Sequence, residues 1–169
     1  MPTKRLSTRS DPATADRRFM AAAIRLAERG VRNRDGGPFG AVVVLNNRIV
    51  GRGWNQVPRS NDPTAHAEIM AIRDACRKLG RFQLDTATLY STCEPCPMCL
   101  GALYWAHIHR LVYAATRRDA ARIGFDDEWM YREFELSPGR RRMKSGRILR
   151  REALETFSRW FTDTNRMAY

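Results

Sequence analysis

Three of the chain's four cysteines, Cys93, Cys96 and Cys99, crowd into seven residues, and a His66-Ala67-Glu68 triplet lies upstream of them. Cys96 and Cys99 are three residues apart, so in the first turn of a helix they share a face and can grip one ion. His66 can add a third ligand from a neighbouring helix. Residues two apart do not share a helix face, so His66 and Glu68 can serve one centre only if it lies off a helix end. The fold must therefore bring two helix N-termini together. Their partial positive charge favours anions such as thiolate and hydroxide.

One histidine and two cysteines make a three-ligand zinc set. Zinc held this way keeps a fourth position open for a water, whose pKa falls from about 15.7 to about 7. Displacing an amine from an amidine-like carbon also needs protons moved onto a ring nitrogen and onto the leaving group, and Glu68 is placed for that shuttle. Two other readings fit the same residues. Adding Cys93 would close a Cys3His site, which is structural and gives Glu68 no chemistry. A redox dithiol would leave His66 and Glu68 unexplained. Cys93 ends a strand just before the Glu94-Pro95 turn, where a free cysteine is commonly packed.

At 169 residues the chain is the size of one domain, and 43% hydrophobic with 28% charged residues is ordinary for a globular protein. No apolar run approaches the ~20 residues that span a bilayer, and the N-terminal stretch lacks a signal-like apolar core, so a cytoplasmic protein is expected. The cysteine spacing suits a metal better than a disulfide framework. A net charge of +12 would help hold a polyanion, but it bears on solubility and non-specific binding more than on function.

The pattern predicts a basic, flexible leader over 1–15 and one folded domain over 16–169. Met20, Ile24, Ala27 and Val31 mark the apolar stripe of a first helix over 17–31, stopped by Gly36-Gly37-Pro38. Residues 39–45 and 48–53, separated by Asn46-Asn47, predict a hairpin. A second helix over 64–79 carries Ile69, Ile72, Ala75, Cys76 and Leu79, with Asp62 or Thr64 as its cap. A strand over 86–92, a helix over 96–106 and a strand over 110–115 follow, and this alternation implies crossovers in an α/β sheet. Tyr104 and Trp105 read as packing. His107 and His109 point to opposite faces of a strand start and cannot share an ion. Past Thr116 only a last helix over 153–161 is legible. The Arg-rich run over 139–151 reads as a solvated edge strand whose cations discourage edge pairing, with a phosphate-tracking patch as the alternative.

His-x-Glu followed by Pro-Cys-x-x-Cys is the signature of the zinc nucleobase deaminases. The chain resembles the cytidine-deaminase-fold superfamily, and within it the bacterial guanine deaminases, over about 17–169. The resemblance rests on Gly36-Gly37-Pro38-Phe39-Gly40, Gly53-Trp54-Asn55, Asn61 to Glu68, Ser91 to Cys99, Gly124-Phe125-Asp126-Asp127 and the final Tyr169. It implies a three-layer α/β/α fold with a central mixed five-stranded sheet and one zinc per subunit on His66, Cys96 and Cys99. It implies Glu68 as the catalytic residue, with Asn55, Phe39, Ala67, Asp127 and Tyr169 around the base. It also implies a homodimer in which an exchanged C-terminal segment brings Asp127 and Tyr169.

Guanine's N1–H and 2-amino groups are donors and a carboxylate only accepts, which suits Asp127 to guanine, whereas adenine lacks an N1–H. Without the resemblance, Asp126-Asp127 would read equally as a turn or helix cap, Tyr169 as a fraying terminus, and Phe39 as core. The zinc motifs are shared with the tRNA adenosine deaminases, which the basic surface would suit. A guanosine deaminase and a zinc-stabilised nucleic-acid-binding module without turnover are the remaining alternatives.

Overall fold

The structure, a computed structural model, describes residues 12–168. Tyr169 lies outside the described residues. The chain divides into two compact units, one through Glu128 and one from Trp129, where a single domain was expected.

The first unit opens with helix α1 (Pro12–Arg32), so the helix begins inside what reads as leader. The hairpin β1 (Gly40–Leu45) and β2 (Arg48–Trp54) follows, then a short helix α2 (Val57–Ser60) and helix α3 (Ala67–Leu79). Strand β3 (Thr88–Cys93), helix α4 (Pro97–Trp105) and strand β4 (Arg110–Ala115) complete the sheet. Among the described residues the sheet has four strands, in the order β2-β1-β3-β4, where five were expected. The chain beyond β4 turns into helices α5 (Arg117–Ala121) and α6 (Glu128–Glu135), neither expected from the sequence although α6 is as amphipathic as α1. β1 pairs antiparallel with β2 and β3, and β3 pairs parallel with β4 across the α4 crossover.

Alternation along β1 splits the core between the two faces of the sheet. Ala41 and Val43 join Leu89, Leu103 and the alanines of α3, while Val42 and Val44 join Phe19 and Tyr90 beside α1. This makes three layers. The seams are lined by the smallest residues. In α1 Phe19, Ala23 and Ala27 are buried, whereas Ile24 and Val31 of the expected stripe are exposed. In α3 Ala67, Ala71 and Ala75 are fully buried, and Ile72, Cys76 and Leu79 pack only partly. Close approach explains the shift: a Cβ on Gly53 would lie 2.1 Å from the Ala67 carbonyl oxygen, and one on Gly51 2.2 Å from that of Ala71. Glycines on β2 thus let the backbone of α3 rest on the strand, and only alanine fits between.

The second unit holds the rest of α6, a 3-10 turn at Pro138–Arg140 and helix α7 (Arg150–Thr162), with no residue buried in any of them. The Arg-rich run is not a strand. Pro138 opens the turn, the chain over 141–149 is irregular, and Arg150 and Arg151 begin α7. Arg141 instead donates its Nε to the carbonyls of Glu133 and Leu136, satisfying acceptors at the end of α6. Among the described residues no helix is long and apolar enough to cross a membrane.

Candidate active site

His66 is the N-cap of α3 and Cys96 the N-cap of α4, and neither side chain caps its helix. Asp62, expected as a cap, closes a turn by accepting the Thr64 N–H at 2.8 Å and the Thr64 hydroxyl at 2.7 Å. Pro97 at the start of α4 costs no hydrogen bond, because the first helical N–H groups lack partners in any case. Both caps are therefore free to turn towards a shared centre off the two helix ends, as the His-x-Glu spacing requires.

His66, Cys96 and Cys99 offer ligand atoms all within 4.8 Å of one another. The Nδ1 of His66 stands 3.6 Å from the Sγ of Cys96 and 3.6 Å from that of Cys99. A tetrahedral zinc with Zn–S near 2.3 Å and Zn–N near 2.05 Å separates sulfur from nitrogen by about 3.6 Å. The donor set and spacing fit zinc. Hydrogen bonding from Cys99, helped by His66, pulls the Cys96 thiol down to about 4, while that same bond and burial push Cys99 up. The bond to Cys96 raises His66.

Cys93 stands outside this group. Its Sγ donates to the Thr116 carbonyl at 3.5 Å, and burial pushes its thiol up to about 11. The closed Cys3His arrangement is therefore not formed.

Glu68, one residue into α3, is buried beside the ligands without joining them. Its Oε1 accepts the Ser91 hydroxyl at 3.1 Å, and its Oε2 lies 3.5 Å from Cys99 Sγ. Burial raises its carboxyl above the usual range, and the Ser91 bond opposes the rise. Ser91 was missed in the sequence, although it shares the phase of buried Leu89 and Cys93 along β3 and could have been found there.

Asn55 follows β2 and is buried. Its Oδ1 accepts the N–H groups of Gly37 at 3.2 Å and Val57 at 3.3 Å, which leaves its amide NH2 to offer. Phe39 packs on the α3 side of the core and meets Phe125 edge to face, with ring centroids 4.9 Å apart. Ala67 heads α3 and is buried. Asp126 behaves as the turn reading expects, accepting the Glu128 N–H at 3.0 Å. Asp127 differs. Burial raises its carboxyl, and the charge of Cys96 adds to the rise. Arg117, whose N–H donates to Glu94 Oε2 at 3.0 Å, bridges Glu128 at 3.7 Å and partly offsets that rise. Tyr104 and Trp105 do not pack as expected: they are 74% and 72% exposed. His107 meets Asp85 at 3.2 Å, away from the cluster.

Residues 13–115 match the cytidine and deoxycytidylate deaminase zinc-binding region. The guanine deaminase of Bacillus subtilis is 47% identical over 151 residues, which cover 89% of this chain and 97% of that protein. A crystal structure of guanine deaminase from Bacillus subtilis superposes with a TM-score of 0.87 at 46% identity, covering 90% of this chain and 98% of that one. The tRNA-specific adenosine deaminase of Haemophilus influenzae is 39% identical over 130 residues, covering 73% of this chain and 75% of the relative.

Proposed function

Because the chain belongs to the family of the cytidine and deoxycytidylate deaminase zinc-binding region, we propose that it hydrolyses guanine to xanthine and ammonia. The net reaction forms a C2–O bond and breaks the bond from C2 to the exocyclic nitrogen. Zinc on His66, Cys96 and Cys99 would supply the Lewis acidity that makes water nucleophilic at neutral pH. Glu68 takes a proton from the attacking water and delivers it to the adjacent ring nitrogen. It then moves a second proton to the departing amine. Burial, which raises its pKa, suits a carboxyl that must hold a proton between those steps.

The other contacts orient the base. Asp127 accepts from N1–H and the neighbouring amino group. The Asn55 NH2 donates to an acceptor on the purine edge, and the unpaired N–H of Ala67 at the head of α3 offers a second donor. Phe39 supplies an apolar wall. For Tyr169, outside the described residues, a pocket-closing role is carried by the resemblance alone. The exposed apolar side chains of α4 and α7 support a homodimer, and ligand thiolates that must stay reduced support a cytoplasmic location.

The observation that carries the chemistry is the buried Glu68, touching the ligand trio without belonging to it. The choice of guanine is supported by likeness to a guanine deaminase along nearly its full length.

The test is ammonia release by zinc-loaded protein from guanine, with guanosine, cytosine and tRNA in parallel. Guanine should turn over, and Glu68→Gln should lose at least about 100-fold in kcat with zinc retained. Turnover of tRNA or guanosine without guanine would overturn the substrate. No turnover of any substrate by the zinc-loaded protein would overturn the enzyme.

A further inference from the structure

Asp35 is 5% exposed, at the turn after α1, and touches none of the ligand residues. Its carboxylate nonetheless grips the chain on both sides of Asn55. Oδ2 accepts the indole N–H of Trp54, the residue before Asn55, at 2.8 Å. Both oxygens accept Nη1 of Arg59, four residues after it, at 3.1 Å. The Asp35 carbonyl takes the Arg59 N–H at 3.3 Å, and the Asp35 N–H returns to the Gly30 carbonyl at 2.9 Å, which ties the turn to α1.

The residues just after Asp35 reach Asn55 itself. Gly37 N–H donates to Asn55 Oδ1, and Gly36 lies so close that a Cβ there would stand 2.2 Å from that oxygen. Asn55 N–H donates to the Phe39 carbonyl at 2.9 Å. The Arg29 guanidinium covers the Trp54 ring at 4.8 Å, so the indole is fixed from above as well as at its nitrogen. An amide has two faces to present, acceptor and donor. The bonds from Gly37 and Val57 decide which is used up, and they hold only while the 36–37 turn and the 54–59 segment keep their spacing.

We infer that Asp35 is a positioning residue for substrate recognition: by clamping Trp54 and Arg59 to the turn that bears Gly36 and Gly37, it holds the Asn55 amide with its NH2 towards the base. The inference rests on Asn55 being a substrate contact. Asp35 itself moves no proton.

The experiment measures kcat and KM for guanine, with zinc content, in Asp35→Ala, Trp54→Phe, Asn55→Ala and the Asp35→Ala/Asn55→Ala double variant. A hydrogen bond lost from a bound base is about tenfold in affinity, so Asp35→Ala should raise KM about tenfold while kcat stays within about twofold and zinc is retained. Trp54→Phe removes one of the clamp's bonds without disturbing its charge and should raise KM about threefold. In the Asn55→Ala background, Asp35→Ala should add less than about twofold, because the two act through one contact.

A KM unchanged in Asp35→Ala and Trp54→Phe, with KM raised in Asn55→Ala, would overturn the positioning role and leave Asn55 as a contact. Fully multiplicative effects in the double variant would also overturn it. Should Asn55→Ala leave KM untouched, both the contact and the positioning role fall. If Asp35→Ala does not fold, Trp54→Phe and the Trp54→Phe/Asn55→Ala pair decide by the same criteria.

Discussion

Ser91 holds one oxygen of the Glu68 carboxylate. It is 1% exposed, and its hydroxyl donates to Oε1 at 3.1 Å. Removing one partner of a buried bond to a carboxylate costs about 1–3 kcal/mol at that group, and a carboxylate released from Oε1 can rotate away from the water it must deprotonate. Ser91→Ala should therefore lower kcat about tenfold with one zinc per subunit retained and KM for guanine little changed. Steady-state kinetics beside metal analysis checks this, and a loss of zinc in step with activity would refute it. The ligand trio was legible in the sequence because metal coordination demands residue types at fixed spacing. Ser91 is marked only by its phase with buried Leu89 and Cys93 along β3, and Asp35 by nothing local, because a group that supports another side chain is selected by a meeting in space.

Helix α3 carries His66, Ala67 and Glu68 to the site only because β2 lets it approach. At Gly53 the obstacle to a Cβ is the Ala67 backbone oxygen, with the Ala71 nitrogen next at 2.4 Å, and neither can yield as a flexible side chain would. Gly53→Ala must push the head of α3 off the sheet. Overpacking of this kind typically costs about 1–3 kcal/mol, and the displacement falls on the His66 ligand. The expected outcome is a lower melting temperature together with weaker zinc retention under a competing chelator, whereas Gly101→Ala, which meets nothing within 4 Å inside α4, should keep the parent's zinc retention with a melting temperature no lower. The same close packing explains why the stripes of α1 and α3 were misplaced. Large apolar residues mark a helix in sequence, but here alanine and glycine set the seam, and Ile24 and Val31 are left towards solvent.

On the opposite face, α1 is latched to β3 and β4. Asp16 takes the Tyr90 hydroxyl at 2.6 Å and the Arg110 guanidinium at 2.6 and 2.9 Å. Hydrogen bonding to Arg110 holds the Asp16 carboxyl near 2, below its ordinary 3.8. A carboxyl depressed in the folded state contributes stability that is full above its unfolded pKa and is lost as pH falls through the folded one. The contribution should be complete above about pH 4 and fade towards pH 2. The partners are part-exposed, so solvent screening reduces it to about 1 kcal/mol. Asp16→Asn should lower stability by that amount at pH 7 and by less at pH 3, read from denaturant midpoints. An equal loss at both pH values would show that the charge contributes nothing.

Large apolar side chains stand exposed among the described residues of each unit. In the second unit Phe134, Phe157 and Phe161 are 62%, 67% and 68% exposed, and Trp129 and Trp160 are nearly half exposed. Among its described residues this unit of about 40 buries no side chain, so a covering surface would help offset the conformational entropy of ordering α7. The first unit is also exposed at Tyr104 and Trp105, and aromatic residues are enriched in the cores of protein interfaces. The proposed homodimer would cover both. Phe157 and Trp160 lie three apart on α7, on one side of the helix, so Phe157→Glu with Trp160→Glu places two charges where a partner would be desolvated. Sedimentation should give the mass of two chains for the parent and of one for the double variant. Guanine turnover should fall with dimer content when the protein is diluted. A parent that sediments as one chain at every concentration, active throughout, would overturn the assembly while leaving the zinc chemistry of a single chain intact.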